Sequence, residues 1–176
     1  MQIRKAKLED LDSLANIHSL TWQAAYKHIF SDTLLKSLRQ DNKFLERKEK
    51  FKKDIEKNSL IDIFLLETFF NGKMEKVGFL VLSSLKLQKR NNHIAEIIAL
   101  YILPEFWGQG FGKVMMEFSI ERFQRFHAKE IILWVLKDNK RARSFYKKFG
   151  FVSTGEEKEL PMEYVPEIEY KLIIKN

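Results

Sequence analysis

The stretch PEFWGQGFGK, Pro104 to Lys113, places glycine at 108, 110 and 112, three of the seven in the chain. Glycine at alternate positions lets successive backbone N–H groups point into one concavity, with no side chain barring close approach. The apolar helical pattern of KVMMEFSIERFQRF starts immediately afterwards, and a helix N-terminus adds partial positive charge. Such a loop suits a pyrophosphate. Two nucleotide-binding patterns fail on it. A P-loop needs GxxxxGK followed by Ser or Thr, and GQGFGKV has neither that spacing nor the hydroxyl. A dinucleotide fingerprint needs GxGxxG after the first strand and an acidic residue ending the next. Here the run is GxGxG, late in the chain, and the next strand ends in VLKDN.

A third pattern fits. With Trp107, Gly108, Gln109, Gly110, Phe111 and Gly112 in the places of (Arg/Gln)-x-x-Gly-x-(Gly/Ala), after a strand ended by proline, the sequence resembles the GNAT acetyltransferase superfamily. Trp107 departs from the usual Arg or Gln. The phosphate cradle is made by backbone, so the departure touches one side-chain contact. A second segment, LWVLKDNKRARSFYKKFGF, resembles the family's asparagine–tyrosine segment through Asn139, Tyr146, Gly150 and Phe151. Seven residues are about two helical turns, which puts Tyr146 on the face of Asn139.

The resemblance implies acetyl-CoA as co-substrate and an amine as acceptor. It implies that Leu100, Tyr101 and Ile102 pair through their backbone with the pantetheine arm, an N–H near Leu100 steadying the thioester oxygen. Gly108 to Lys113 would contact the pyrophosphate, with Asn139 and Tyr146 beside the cofactor. Tyr146 matches the family's phenolic donor to the leaving thiolate; packing beside Phe145 and Phe149 is its other reading. An alkylamine, with a pKa near about 10.4, must lose a proton before it attacks. Glu96, in AEI, matches the glutamate used as base in the histone-acetyltransferase branch; a water wire or a purely structural carboxylate are the alternatives. Alternation along a strand puts Glu96 and Leu100 on one side. Trp134 stands where ribosomal-protein alanine acetyltransferases carry a catalytic glutamate, which speaks against that activity.

Other residues carry less. Trp22 and Tyr26, one turn apart on the first helix, are candidates for the acceptor wall, with a core stripe as the competing reading. His18, His28, His93 and His127 share no ligand spacing and there is no cysteine, so no metal is expected. Six glutamates in GEEKELPMEYVPEIE could draw a cationic acceptor such as a polyamine; a solvated loop and strand edge is the simpler reading.

The elements that must position these residues read in the order β-α-α-α-β-β-β-α-β-α-β-β. This is an α/β (α+β) arrangement with a mixed, mostly antiparallel sheet flanked by helices, expected as one N-acetyltransferase domain over residues 1–176. The first strand is QIRKA, and Ser31 or Asp32 caps the second helix. NGK turns a hairpin between LIDIFLLET and EKVGFLVLSSL, and Gly150 ends the last helix. A length of 176 residues, 45% apolar, fits one packed core. The absence of cysteine and of an N-terminal apolar stretch leads us to expect a cytoplasmic enzyme, with no membrane partner. A net charge of +7 is compatible with a polyanionic ligand, though a lysine-rich surface alone explains it equally well.

A small-molecule amine (polyamine, aminoglycoside or amino-acid-like) is the expected acceptor, and protein N-termini or lysines are the alternative. A silent acyl-CoA sensor and a nucleic-acid binder using the basic helix Asn42–Lys57 are the readings of another class. No nucleic acid is expected, because neither motif supports that partner. The oligomeric state is open, the resemblance implying a homodimer as one form.

Overall fold

Long apolar runs punctuated by one tight turn set the middle of the molecule. In the computed structural model, which describes residues 1–56, 61–83 and 93–174, β2 (Ile61–Phe70) and β3 (Lys73–Ser83) form an antiparallel hairpin. Asn71 and Gly72, at φ 48° and 81°, make a turn whose twist matches the strands. The other strands are β1 (Gln2–Lys5), β4 (Ile94–Ile102), β5 (Glu130–Leu136), β6 (Val152–Glu159) and β7 (Pro166–Ile173). They form one seven-stranded sheet in the order β1-β2-β3-β4-β5-β7-β6. All neighbours are antiparallel except β4 and β5, which run parallel over four residue pairs, Ile94–Ile97 beside Glu130–Leu133. The element order is the one expected. Lys57, Leu60 and residues 84–85, expected in the third helix, in β2 and in β3, lie outside the described residues.

The helices are α1 (Leu11–Ala25), α2 (Asp32–Ser37), α3 (Asp41–Glu56), α4 (Phe111–Arg125) and α5 (Lys140–Lys148). Ser31 is the cap of α2, its hydroxyl accepting from the Leu34 N–H at 3.2 Å. Aromatic contacts assign the two faces of the sheet. Phe79 of β3 meets Phe51 of α3, and Phe64 of β2 meets Phe118 of α4. Leu65 lies opposite Phe79, so Phe64 and Phe79 point to opposite faces. Helices α1 and α3 therefore cover one face and α4 the other.

At the β1 end, Asp10 is fully buried. It accepts from both Arg4 nitrogens at 2.7 and 2.9 Å, from the Lys7 N–H at 2.8 Å, and lies 2.6 Å from Lys76 Nζ. One carboxylate thus ties β1, the turn into α1 and β3. Burial opposes its charge, but the bonds from Arg4 and Lys76 outweigh it and hold the carboxyl well below the usual range.

Strand β4 carries a bulge. Val81 pairs with Ala99 but Leu82 with Ile97, leaving Ile98 as the extra residue, exposed to solvent. This irregularity sets the geometry of the site.

Candidate active site

The glycine loop forms an open cradle. Gly108 and Gly110 adopt φ of +78° and +87°, the left-handed region, and a Cβ built on either meets nothing within 4 Å. Gly110 is the N-cap of α4 and offers no side-chain bond to the helix start. The first bond bridging into the helix runs from the Val114 N–H to the Gly110 carbonyl at 3.1 Å. The N–H groups of Phe111, Gly112 and Lys113 lack an acceptor within the helix, at its positive end. These uncapped amides beside open space fit a pyrophosphate. Gln109 braces the loop, its Nε2 donating to the Glu105 carbonyl at 2.8 Å. Phe111 packs edge-on against Phe106, and Lys113 pairs loosely with Glu117 at 3.7 Å.

Trp107 has two roles in the structure. Its indole N–H donates to the Ile102 carbonyl at 2.6 Å, and the Arg141 guanidinium lies 3.7 Å from its ring centroid. Among the described residues Arg141 makes no ion pair and no hydrogen bond. Burial draws its pKa down. A cation from α5 thus stands beside position 107, where the motif more often has Arg or Gln. This contact was not legible in the sequence, because the two residues are 34 positions apart.

Beyond the cradle, β4 and β5 fork. Their ladder ends at Ile97 and Leu133, while on its other edge β5 pairs with β7 along its whole length. The Leu103 N–H donates to the Val77 carbonyl at 2.9 Å across to β3. Backbone groups alternate in direction, so Tyr101 also turns its N–H and C=O toward β3, where it lies opposite Phe79. Leu100 and Ile102 turn theirs toward the fork. Thr21 and Trp107 accordingly reach the Ile102 carbonyl from that side, Thr21 at 3.2 Å. Of the three residues expected to offer backbone to a ligand, Tyr101 is corrected: its main chain belongs to the sheet.

The Tyr101 side chain instead faces α1 and α3. Its hydroxyl accepts from the Trp22 indole at 3.0 Å, and its ring packs on His18 and Phe79. Trp22 is 6% exposed, stacked between His18 and Phe30, so it supports Tyr101 from the core rather than walling an open pocket. Tyr26 sits edge-on to Trp22. Tyr26, Tyr101 and Tyr146 bring their phenols into mutual electrostatic range, and burial raises the pKa of all three. Tyr146 packs on Phe145 and Phe151. Asn139 caps α5, its Oδ1 accepting from the Ala142 N–H at 3.1 Å.

The bulge corrects the side assigned to Glu96. Leu80 faces Leu100 and Leu82 faces Ile97, so Leu100 shares a side with Ile97, and Glu96 points to the other. Glu96 therefore stands with Tyr101 on the α1/α3 face. Burial is the main cause of its raised pKa; Lys158 pulls it back and Glu169 adds to it. Its carboxylate has no hydrogen bond and no ion pair among the described residues. Glu167, from the acidic tail segment read as solvated, is part of this cluster. Its pKa is raised by burial and by Glu96. Glu156, Glu157, Glu159 and Glu163 are exposed, as that reading expects. Arg47 of α3, partly buried and without an ion pair among the described residues, lies near Tyr101 and His18.

Residues 12–151 match the family model described as Acetyltransferase (GNAT) family. The chain belongs to the GNAT acetyltransferase family. A spermidine N(1)-acetyltransferase of Thermoplasma acidophilum is 28% identical over 152 residues, covering 86% of this chain and 88% of that protein. An uncharacterized N-acetyltransferase of Archaeoglobus fulgidus is 28% identical over 83% of this chain and 89% of its own. Among solved structures, PaiA N-acetyltransferase from T. acidophilum in complex with coenzyme A superposes with a TM-score of 0.71 at 22% identity, covering 97% of this chain and 98% of that one. Spermidine N-acetyltransferase SpeG from Vibrio cholerae gives 0.67 at 21%, covering 98% and 95%. The GNAT fold and acyltransferase class expected from the two motifs are thereby established. No described helix is long and apolar enough to cross a membrane.

Proposed function

We propose that the protein transfers the acetyl group of acetyl-CoA directly to a primary amine of a small polycation, of the diamine or polyamine kind. The observation that carries this reading is the fork. The unpaired Leu100 edge of β4 runs from Glu96 toward the uncapped amides of α4. The spermidine acetyltransferase similarity and the coenzyme A complex of the PaiA neighbour support it.

Gly108 to Lys113 would hold the pyrophosphate, with Arg141 and Lys113 as side-chain cations near it. Bound there, acetyl-CoA supplies an acetyl group activated as a thioester. The Leu100 N–H donates to the carbonyl oxygen and stabilises negative charge developing on it. Glu96 takes the proton of the acceptor ammonium. Four residues of strand are on the order of 13 Å, less at a bulge, so this transfer runs through water. The neutral nitrogen attacks the carbonyl carbon, a C–N bond forms and the C–S bond breaks. Tyr146, kept protonated by its raised pKa, donates its proton to the leaving thiolate, and the second proton, which the nitrogen sheds as the amide forms, returns through water to the Tyr146 phenolate. A cysteine-free chain is suited to a reducing cytoplasm.

A turnover screen tests the proposal. Acetyl-CoA is offered with polyamines, aminoglycosides, amino acids and peptides with free N-termini, and released thiol is followed. Polyamines are expected to give the highest kcat/KM. Preferential turnover of peptides would replace this reading with protein acetylation. Tyr146→Phe is expected to lower kcat about 10²-fold with little change in either KM. An unaltered kcat would remove Tyr146 as the acid.

A further inference from the structure

The acceptor end of the site holds a positive charge of the protein's own. Lys158 of β6 lies opposite Glu167 of β7. Its ammonium stands 4.0 Å from the centroid of the Trp134 ring and 3.7 Å from the Glu167 carboxylate. Trp134 of β5 lies opposite Glu169, and Ile132, two residues before it, lies opposite Glu96. Residues directly opposite share a face, and so do residues two apart. Glu96, Trp134, Glu167, Glu169 and Lys158 therefore stand on one face, the side to which Tyr101 points.

The charges there do not balance. Three carboxylates, Glu96, Glu167 and Glu169, face Lys158, while the other two charges on this face, Lys171 (opposite Ile132) and Glu130, pair with each other at 3.3 Å. Glu96 and Glu169 have no ion pair among the described residues, and Glu96 and Glu167 are partly withdrawn from water. An aromatic face with carboxylates beside it is the arrangement that holds an alkylammonium. Lys158 meets that description as a tethered ligand would. Its side chain is 47% exposed on a flexible four-carbon stem, free to swing into solvent. Trp134 is on the strand next to β4, one spacing of about 5 Å away where the strands pair and more where they fork. That is the span of a short alkyl chain.

We infer that Lys158 occupies the seat of the acceptor's second ammonium, and is displaced when a diamine or polyamine binds between Trp134, Glu167 and Glu96. The inference rests on the amine-acetyltransferase reading and deepens it. A monoamine reaches the fork with Lys158 in place, whereas a diamine must compete with it. The Glu96–Glu167 end, where the carboxylates gather, is the favourable place for the second charge.

The test uses the full chain and two acceptors with the same four-carbon chain, 1,4-diaminobutane and butylamine. Calorimetric binding and steady-state kinetics are compared for wild type, Lys158→Met and, as a control for losing one positive charge, Lys137→Met. Lys137 pairs with Glu157 at an exposed position. Lys158→Met is expected to raise the preference for diamine over monoamine about tenfold, in affinity and in kcat/KM, while Lys137→Met leaves it as it is. An unchanged or reduced preference overturns the inference, as does an equal gain in both variants. Trp134→Leu removes the seat itself and is expected to weaken diamine binding at least tenfold relative to butylamine; unaltered binding overturns the inference independently of how Lys158→Met folds. Tighter diamine binding in Lys158→Met without turnover of any amine would sink the transferase reading alone. Turnover with diamine preference unmoved would sink the second-ammonium seat alone.

Discussion

Glu96 is a carboxylate placed against its own charge. Burial raises its pKa, Glu169 adds to the rise and Lys158 opposes it. A base of raised pKa binds the proton of an ammonium more strongly, and the mismatch between donor and acceptor narrows. The sign for activity follows from the proposed role: a base works as the carboxylate, so the rate is expected to fall as pH drops through the Glu96 pKa. Glu96→Gln is expected to flatten that acidic limb of kcat/KM and to lower kcat about 10²-fold, read from a pH–rate profile between pH 5 and 9. An intact limb would assign the base elsewhere. The type and place of Glu96 in the chain were legible, but its side was not. Simple alternation is right for a regular strand and fails by one residue at Ile98, a position that looks like any other aliphatic in HIAEIIALYIL. Trp107 shows the converse. It reads as a departure from a motif, yet its N–H closes the end of β4 and its ring carries Arg141.

At the scale of elements, the β4–loop–α4 unit gathers most of the proposed cofactor contacts in the fewest residues. Sequence alone displayed it, since glycines at fixed offsets between an apolar run and a helical pattern have few other uses. Its partner elements were less visible. Pairing of β6 and β7 with β5 brings Lys158 and Glu167 to the face of Glu96, and that depends on register between segments far apart in the chain. Gly110 gives the unit its test. A side chain there has room but must adopt φ +87°, which costs an L-residue on the order of 1–2 kcal/mol. Gly110→Ala is expected to lower stability by about that amount. It should also raise the KM for acetyl-CoA about tenfold and leave the amine KM near wild type. A larger change in amine KM than in acetyl-CoA KM would place the cradle elsewhere.

For the whole molecule, the fully buried Asp10 fastens β1, the entry to α1 and β3. Its folded pKa is depressed, so its contribution is complete above the unfolded value near 3.9 and is lost as pH falls toward the folded one. Asp10→Asn is expected to destabilise by about 3 kcal/mol at pH 7, because Arg4 and Lys76 lose their partner. The gap to wild type, followed by chemical denaturation, closes as pH falls below about 4. A gap as wide at pH 2 as at pH 7 would assign the loss to packing. The overall element order was readable because each run is long and strongly patterned. The splitting of the sheet was not, since it depends on where one ladder stops. That stop has a mechanical consequence. Two antiparallel slabs, β1–β4 and β5–β7–β6, meet along a parallel seam only four residue pairs long. A ligand arm lying in the fork would rivet the slabs beyond the point where the seam ends. Opening of the seam and loss of the ligand would then be linked, so that occupancy holds the seam closed.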